Sequence, residues 1–318
     1  MNVIIRVDSS KVIGSGHIQR CLNLANNFSL FGIKSFFLCS NFSGNLNYLI
    51  KKKYPLKEIK SKLKIKKKYK PASKSIQLND ARLTINYAKK IKAKFVVLDS
   101  YLFNYIWQSK VFNFFKLIFV DDLNIKNKCN IYINQHYQKK NFDKTIFLNK
   151  LTKKFIGPKF LIINKDQIKT KSNSKKKKIF IYMGDVDTAN YTGKIFKIIQ
   201  NNKFENYNFQ IILGKNFEKK KQLLKYKKKK NIQIIDKRLK SIWNKFNINN
   251  DIIICSGGLI GSEAMFLNAK FILICQNIYQ FNNLPINKKF IFKNLSTISE
   301  QKLLSCISEL SLTKRLKK

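Results

Sequence analysis

A repeated alternation limits this chain's fold more than any other feature. Short apolar runs, "NVIIRV", "KSFFLCS", "KFVVLDS", "KLIFVDD" and "CNIYINQ", alternate with amphipathic, helix-like stretches. The pattern then restarts with "KIFIYMG", "NFQIILG", "NIQIID", "DIIICSGG" and "KFILICQ". Strands that alternate with helices form parallel sheets with crossover connections. Between the two series lies the polar, lysine-rich "NKDQIKTKSNSKKKK" at 164–178, which has the composition of a linker. The predicted organisation is two α/β domains in tandem, residues 1–163 and 179–318, a division that 318 residues comfortably allow. Open parallel sheets bind ligands beyond the carboxyl ends of their strands, and two such sheets can face each other across a cleft. Candidate residues are therefore sought just after the apolar runs.

A formal net charge of +47 invites a nucleic-acid or membrane-surface reading. The kind of cation argues against a specific one. Arginine occurs only at 6, 20, 82, 238 and 315, while lysine runs in blocks such as "KKKYPLKEIKSKLKIKKKYK", as a codon bias toward A and T would produce. Base readout relies on arginine forks with stacking aromatics, so the lysine blocks are read as solvated faces and loops. The six cysteines show no CxxC spacing and mostly sit within apolar runs, so they are read as reduced, buried thiols rather than a zinc site or disulfide framework. No apolar stretch reaches the length of a membrane span and the N-terminus lacks a signal-peptide pattern, so a cytoplasmic monomer is expected.

The stretch "GSGHIQRCLNLANNF" places His17 behind Gly14 and Gly16 at the mouth of a helix. Glycines there allow a tight turn and close approach of backbone to a ligand. Free N–H groups and the helix dipole attract anions and disfavour a cationic ring, which leaves the imidazole in the form a general base needs. A capping or core histidine is the alternative; the glycine-flanked strand-to-helix turn favours the base. Gln19 stands where GxGxxG requires its third glycine, so no nicotinamide or flavin cofactor is expected. In "IIICSGGLIGSEA" a second strand delivers Ser256, Gly257 and Gly258 to a helix carrying Glu263. A phosphate-binding turn and a plain glycine-rich turn are equally compatible with that spacing. Asp99 and Tyr101 end a strand of the same domain as His17. Asp121 and Asp122 read more as turn or cap residues, and His136 in "NQHYQ" as a loop residue.

Taken together, "RVDSSKVIGSGHIQRCLNLANNFSLFG", "LDSY", "VDDL", "INQ", "GPKF", "YMGDVDTAN" and "CSGGLIGSEA" resemble the UDP-2,4-diacetamido-2,4,6-trideoxy-β-L-altropyranose hydrolases of pseudaminic acid biosynthesis. The resemblance extends to about residue 280. It implies two Rossmann-like domains with a GT-B-like arrangement, a nucleotide-sugar between them, and hydrolysis without metal or cofactor. It further implies that His17 activates water, with Tyr101 near the sugar and Asp99 beside them. Arg6, Asp8, Gly14, Gly16, Arg20, Gly184, Ser256, Gly257, Gly258 and Glu263 become the substrate- and nucleotide-binding candidates. Asp185 stands where the family usually has a second glycine. Two other readings stay open: a UDP-sugar-dependent glycosyltransferase of the same fold, and a polyanion-binding protein with a degenerate nucleotide-sugar site.

Overall fold

The computed structural model describes residues 1–61, 63–65, 67, 69–136, 144–163, 176–214, 216–224, 230–236, 242–284 and 289–313. Of the expected linker, 164–175 lie outside the described residues. The chain divides into two compact units, Met1–Asn164 and Lys165–Lys318.

The N-terminal unit runs β1 (Asn2–Val7), α1 (Gly16–Ser29), β2 (Lys34–Ser40), α2 (Asn47–Lys51), β3 (Leu56–Ile59), α3 (Lys74–Lys90), β4 (Ala93–Asp99), α4 (Tyr105–Phe112), β5 (Lys116–Val120), β6 (Ile131–Asn134) and β7 (Lys153–Ile156). Its strands form one seven-stranded sheet in the order β3-β2-β1-β4-β5-β6-β7, parallel at every pairing. Strand side chains alternate between the two faces. Ile4, Leu38, Val96, Leu98, Leu117 and Phe119 pack with Ala81, Ile85 and Ala88 of α3 and Trp107 and Val111 of α4. Val3, Ile5, Val7, Phe37, Cys39, Val97, Ile118 and Val120 pack with Ile18, Cys21, Leu24 and Ala25 of α1. Burial on both faces is why these strands read as nearly continuous apolar runs.

The C-terminal unit runs β8 (Ile179–Tyr182), α5 (Tyr191–Ile199), β9 (Phe209–Ile212), α6 (Lys220–Leu224), β10 (Ile232–Ile235), β11 (Ile252–Cys255), α7 (Leu259–Phe266), β12 (Lys270–Ile274), α8 (Ile278–Asn282), β13 (Ile291–Phe292) and α9 (Glu300–Leu312). Its sheet order is β10-β9-β8-β11-β12-β13, again parallel throughout. In both sheets the second and third strands wind one way from the first strand and the later strands wind the other way. The order therefore reverses between β1 and β4, and between β8 and β11. In doubly wound sheets the crevice at that reversal, beyond the strand ends, is where ligands bind.

Arg6 interrupts the apolar sequence of β1, and the structure supplies the reason. It is fully buried beneath α3, where Nε and Nη2 grip Asp80 at 2.8–3.2 Å, Nη1 lies 2.7 Å from Asp8 Oδ1, and Nη2 donates to Ser40 Oγ. Trp107 Nε1 donates to Asp80 at 2.8 Å, and the guanidinium lies over the Phe103 ring. Asp8 is buried as well and accepts from the Ser40 amide at 2.7 Å. The expectation that Arg6 and Asp8 contact a ligand is corrected here. With guanidinium and carboxylate both enclosed, their role is to join β1, β2 and α3 at the base of the loop that carries His17.

All six cysteines are buried free thiols. Among the described residues no helix is long and apolar enough to cross a membrane.

Candidate active site

Strand order sets the site in the N-terminal unit. The ends of β1, β4, β5 and β6 lie side by side, at the roughly 4.8 Å spacing of neighbouring strands. Each end is followed by a polar residue: His17 and Arg20 from α1, Asp99 and Tyr101 from the end of β4, Asp122 after β5 and His136 after β6. The loop from β1 to α1 is held by its serines. Ser9 Oγ accepts from the Leu46 amide and Ser10 Oγ from the amides of Val12 and Ile13. Gly14 has φ +84°, a left-handed conformation that favours glycine. Gly16 differs: it opens α1 and is exposed, and an added Cβ would meet nothing within 4 Å. Among the described residues nothing requires glycine at 16.

His17 is buried, and its Nδ1 lies 2.5 Å from Asp99 Oδ1. Arg20, one helical turn further along α1, grips the same carboxylate through Nε at 2.8 Å and Nη2 at 2.7 Å. Its fork simultaneously holds Asp122, Nη1 at 2.6 Å and Nη2 at 3.0 Å. Burial pushes the Asp99 carboxyl up, but Arg20 and His17 outweigh it and hold the group below its ordinary range. Asp122 lies well below its range for the same reason: Arg20 and His136 outweigh burial. Asp99 is thus an ionised acceptor, so the proton of the His17–Asp99 bond sits on Nδ1 and the lone pair on Nε2. A carboxylate that fixes tautomer and ring plane in this way is the orienting half of a general-base dyad.

Tyr101 stands edge-on to His17, ring centroids 4.3 Å apart, and its hydroxyl donates to Asp122 Oδ2 at 2.9 Å. Burial, then Asp122 and Tyr69, push the phenol well up, so it remains a donor. The sequence-predicted trio of His17, Asp99 and Tyr101 is therefore brought together. Arg20 belongs to the cluster, but as a clamp on two carboxylates. The sequence reading missed Asp122 and His136: His136 Nε2 contacts Asp122 Oδ1 at 2.9 Å. The available signal was that both histidines of the chain follow strand ends of the same unit. Asp121, by contrast, does the turn work expected of it, accepting from the amides of Leu123 and Ile125 and from Tyr132. Burial pushes its carboxyl up to about 6.

In the C-terminal unit the reversal point carries Gly184, Ser256, Gly257 and Gly258. Gly184, with φ +95°, lies next to Ser256, whose Oγ would be 3.8 Å from an added Cβ. Gly257 is enclosed: a Cβ there would come within 2.9 Å of Cys275 Sγ and 3.0 Å of Leu284. Gly258 precedes α7 with no side-chain cap bond, and a helix N-terminus is the kind of place an anion can occupy. Glu263, a turn further on, accepts from Trp243 Nε1 at 2.8 Å, and burial pushes it up to about 7 against that bond. Asp185, the acid that departs from the family pattern, accepts from Asn216 Nδ2 at 2.8 Å. Asp187 caps α5, accepting from the amides of Tyr191 at 2.9 Å and Thr192 at 2.7 Å.

The likenesses of the chain to solved structures define its fold. MurG of Acinetobacter baumannii superposes with a TM-score of 0.60 at 14% identity, covering 97% of this chain and 90% of MurG. The kitacinnamycin glycosyltransferase gives 0.63 at 11% identity over 98% and 91%, and the UDP-GlcNAc 2-epimerase of Methanocaldococcus jannaschii 0.57 at 13% over 100% and 95%. The chain has the GT-B fold, two Rossmann-like domains. A curated relative, the uncharacterized protein MJ1062 of Methanocaldococcus jannaschii, is 27% identical over 304 residues, 88% of this chain and 57% of the relative. The chain thus spans little more than half the length of the curated relative it matches. No protein-family model matches it.

Proposed function

We propose that the protein hydrolyses a UDP-linked 2,4-diacetamido-2,4,6-trideoxyhexose to the free sugar and UDP, a step in pseudaminic acid biosynthesis. The observation that carries this reading is the His17–Asp99 dyad locked by Arg20 at the reversal point of the N-terminal sheet. It is supported by the motif resemblance along the chain and by a structural neighbour named for UDP-GlcNAc. A water oxygen attacks the anomeric carbon while His17 Nε2 takes its proton. The bond from that carbon to the diphosphate oxygen breaks, and UDP leaves with the electron pair. Attack opposite the leaving group inverts the anomeric configuration. Tyr101 and the Asp122 cluster flank His17 on the sugar side.

A positioned base contributes about 10²–10⁴-fold. Stabilising the departing diphosphate and orienting the water supply the rest. Incubation of the purified protein with the UDP-linked diacetamido sugar, followed by UDP release, is the test. Release that falls by about 10²-fold or more in His17→Ala supports the reading. No release, or release unchanged in that variant, overturns it. Release only after an acceptor is added identifies a transferase.

A further inference from the structure

His136 lies at the far end of the network that holds His17, and no motif in the chain accounts for it. We propose that His136 is a positioning residue for His17: the two imidazoles are clamped in opposite tautomers on two carboxylates bridged by Arg20, so that a change at one ring is felt at the other. This rests on the reading of His17 as the base.

The geometry leaves each ring one role. Asp122 Oδ1 accepts from Arg20 Nη1 at 2.6 Å and from His136 Nε2 at 2.9 Å, while Oδ2 accepts from Tyr101 at 2.9 Å and Arg20 Nη2 at 3.0 Å. An ionised acceptor places the His136 proton on Nε2, the reverse of His17, whose proton is on Nδ1 toward Asp99. His136 is buried, and its amide donates to Asn134 Oδ1 at 3.1 Å, which pins the ring at the end of β6. Nη2 of Arg20 contacts both carboxylates, so any shift of Asp122 is passed to Asp99 through one rigid guanidinium. Removing the His136 N–H leaves Asp122 with more uncompensated negative charge. Arg20 is then drawn toward Asp122, and its grip on Asp99, the acceptor of the His17 Nδ1–H, loosens.

The described charged and titratable groups around the pair come from every strand end present. Arg20 and Cys21 lie on α1, Asp99 and Tyr101 at β4, and Asp122 after β5; the Tyr69 ring packs on Tyr101. Asp121 is turned away onto backbone amides and Tyr132.

Because the chain has only two histidines, nitrogen-labelled imidazoles of the native protein give two ring systems, and His136→Gln assigns them by deleting one. The expected spectrum shows the Nδ1–H form for one ring and the Nε2–H form for the other. In His136→Ala, which removes the donor, the His17 Nδ1–H signal is expected to move as its bond to Asp99 loosens, whereas His136→Gln, whose amide still donates to Asp122, leaves it near the native position. In turnover, His136→Ala is expected to lose about tenfold in kcat with KM within about twofold, and His136→Gln to recover most of that loss. Two rings in the same tautomer, or a His17 Nδ1–H signal unmoved in His136→Ala, overturns the proposal. If the native protein releases no UDP, the hydrolase reading fails while the ring measurements still decide this one, and the native tautomers decide it if His136→Ala does not fold.

Discussion

At the scale of single residues, the dyad and the half-buried Glu263 make opposite demands on pH. Asp99 fixes the His17 tautomer only as a carboxylate, so Asp99→Asn allows the amide to present an N–H and reverse the ring's polarity. The expected result is a fall in kcat of about 10²–10⁴-fold with KM little changed, measured by UDP release at a temperature where circular dichroism shows the variant folded. Equal loss in Asp99→Asn and Asp99→Glu would show that orientation, not charge, is at stake. Glu263 behaves differently. Burial holds its carboxyl up to about 7, so the folded chain keeps a proton that an unfolded glutamate, with a pKa of about 4.3, has already released. Stability contributed by this group therefore falls as pH rises from about 4.3 to about 7, then levels off. Glu263→Gln lacks that decline. Urea midpoints at about pH 5 and about pH 8 should show the variant gaining on the parent at the higher pH; a gap that does not change with pH refutes the assignment.

At the scale of elements, the buried grip of Arg6 on Asp80 joins β1 to α3, with Trp107 of α4 tied to the same carboxylate. Breaking one side of such a pair leaves an uncompensated charge, so Asp80→Ala is expected to lower stability by about 3–5 kcal/mol in urea titration. A loss under about 1 kcal/mol would mean that the enclosed network contributes little. The elements were readable because parallel strands buried on both faces leave continuous apolar runs. The polar residues that follow those runs, His17, Asp99, Tyr101, Gly184 and Ser256, were readable for the same reason. Composition held a further clue: in a lysine-rich chain arginine survives at 6 and 20, where a planar fork grips two carboxylate oxygens as an ammonium group cannot. What sequence patterning concealed was adjacency. His17 and His136 are more than a hundred residues apart, and only the order β1-β4-β5-β6 sets their strand ends in one row. Arg6 and Asp8 misled because alternation along β1 turns Arg6 onto Asp80 of α3 and Asp8, just past the strand, is tied to Arg6 and the Ser40 amide, whereas a motif read as a string has no faces.

At the scale of the whole molecule, the charge of +47 suits both a catalyst that gathers an anion and a protein whose purpose is to hold polyanions. Both would show salt-sensitive binding, so salt dependence alone does not separate them. Of the described arginines, Arg6 and Arg20 are buried in ion pairs and only Arg82 is exposed. The outer field is therefore one of lysines, point charges that attract without the bidentate contacts that read bases. Such a field raises the encounter rate of an anionic ligand, the proposed nucleotide-sugar among them, and leaves the chemical step alone. Raising ionic strength from about 0.1 M to about 1 M shortens the screening length from about 10 Å to about 3 Å, so KM for the UDP-sugar should climb several-fold while kcat stays within about twofold. Duplex DNA should compete at low salt and be released near physiological salt without regard to sequence, the loss following counterion release. Steady-state kinetics with and without DNA across that range measures both effects. DNA binding that survives physiological salt in a protein that fails to bind UDP would establish the lysine surface, and not the dyad, as the working part of the molecule.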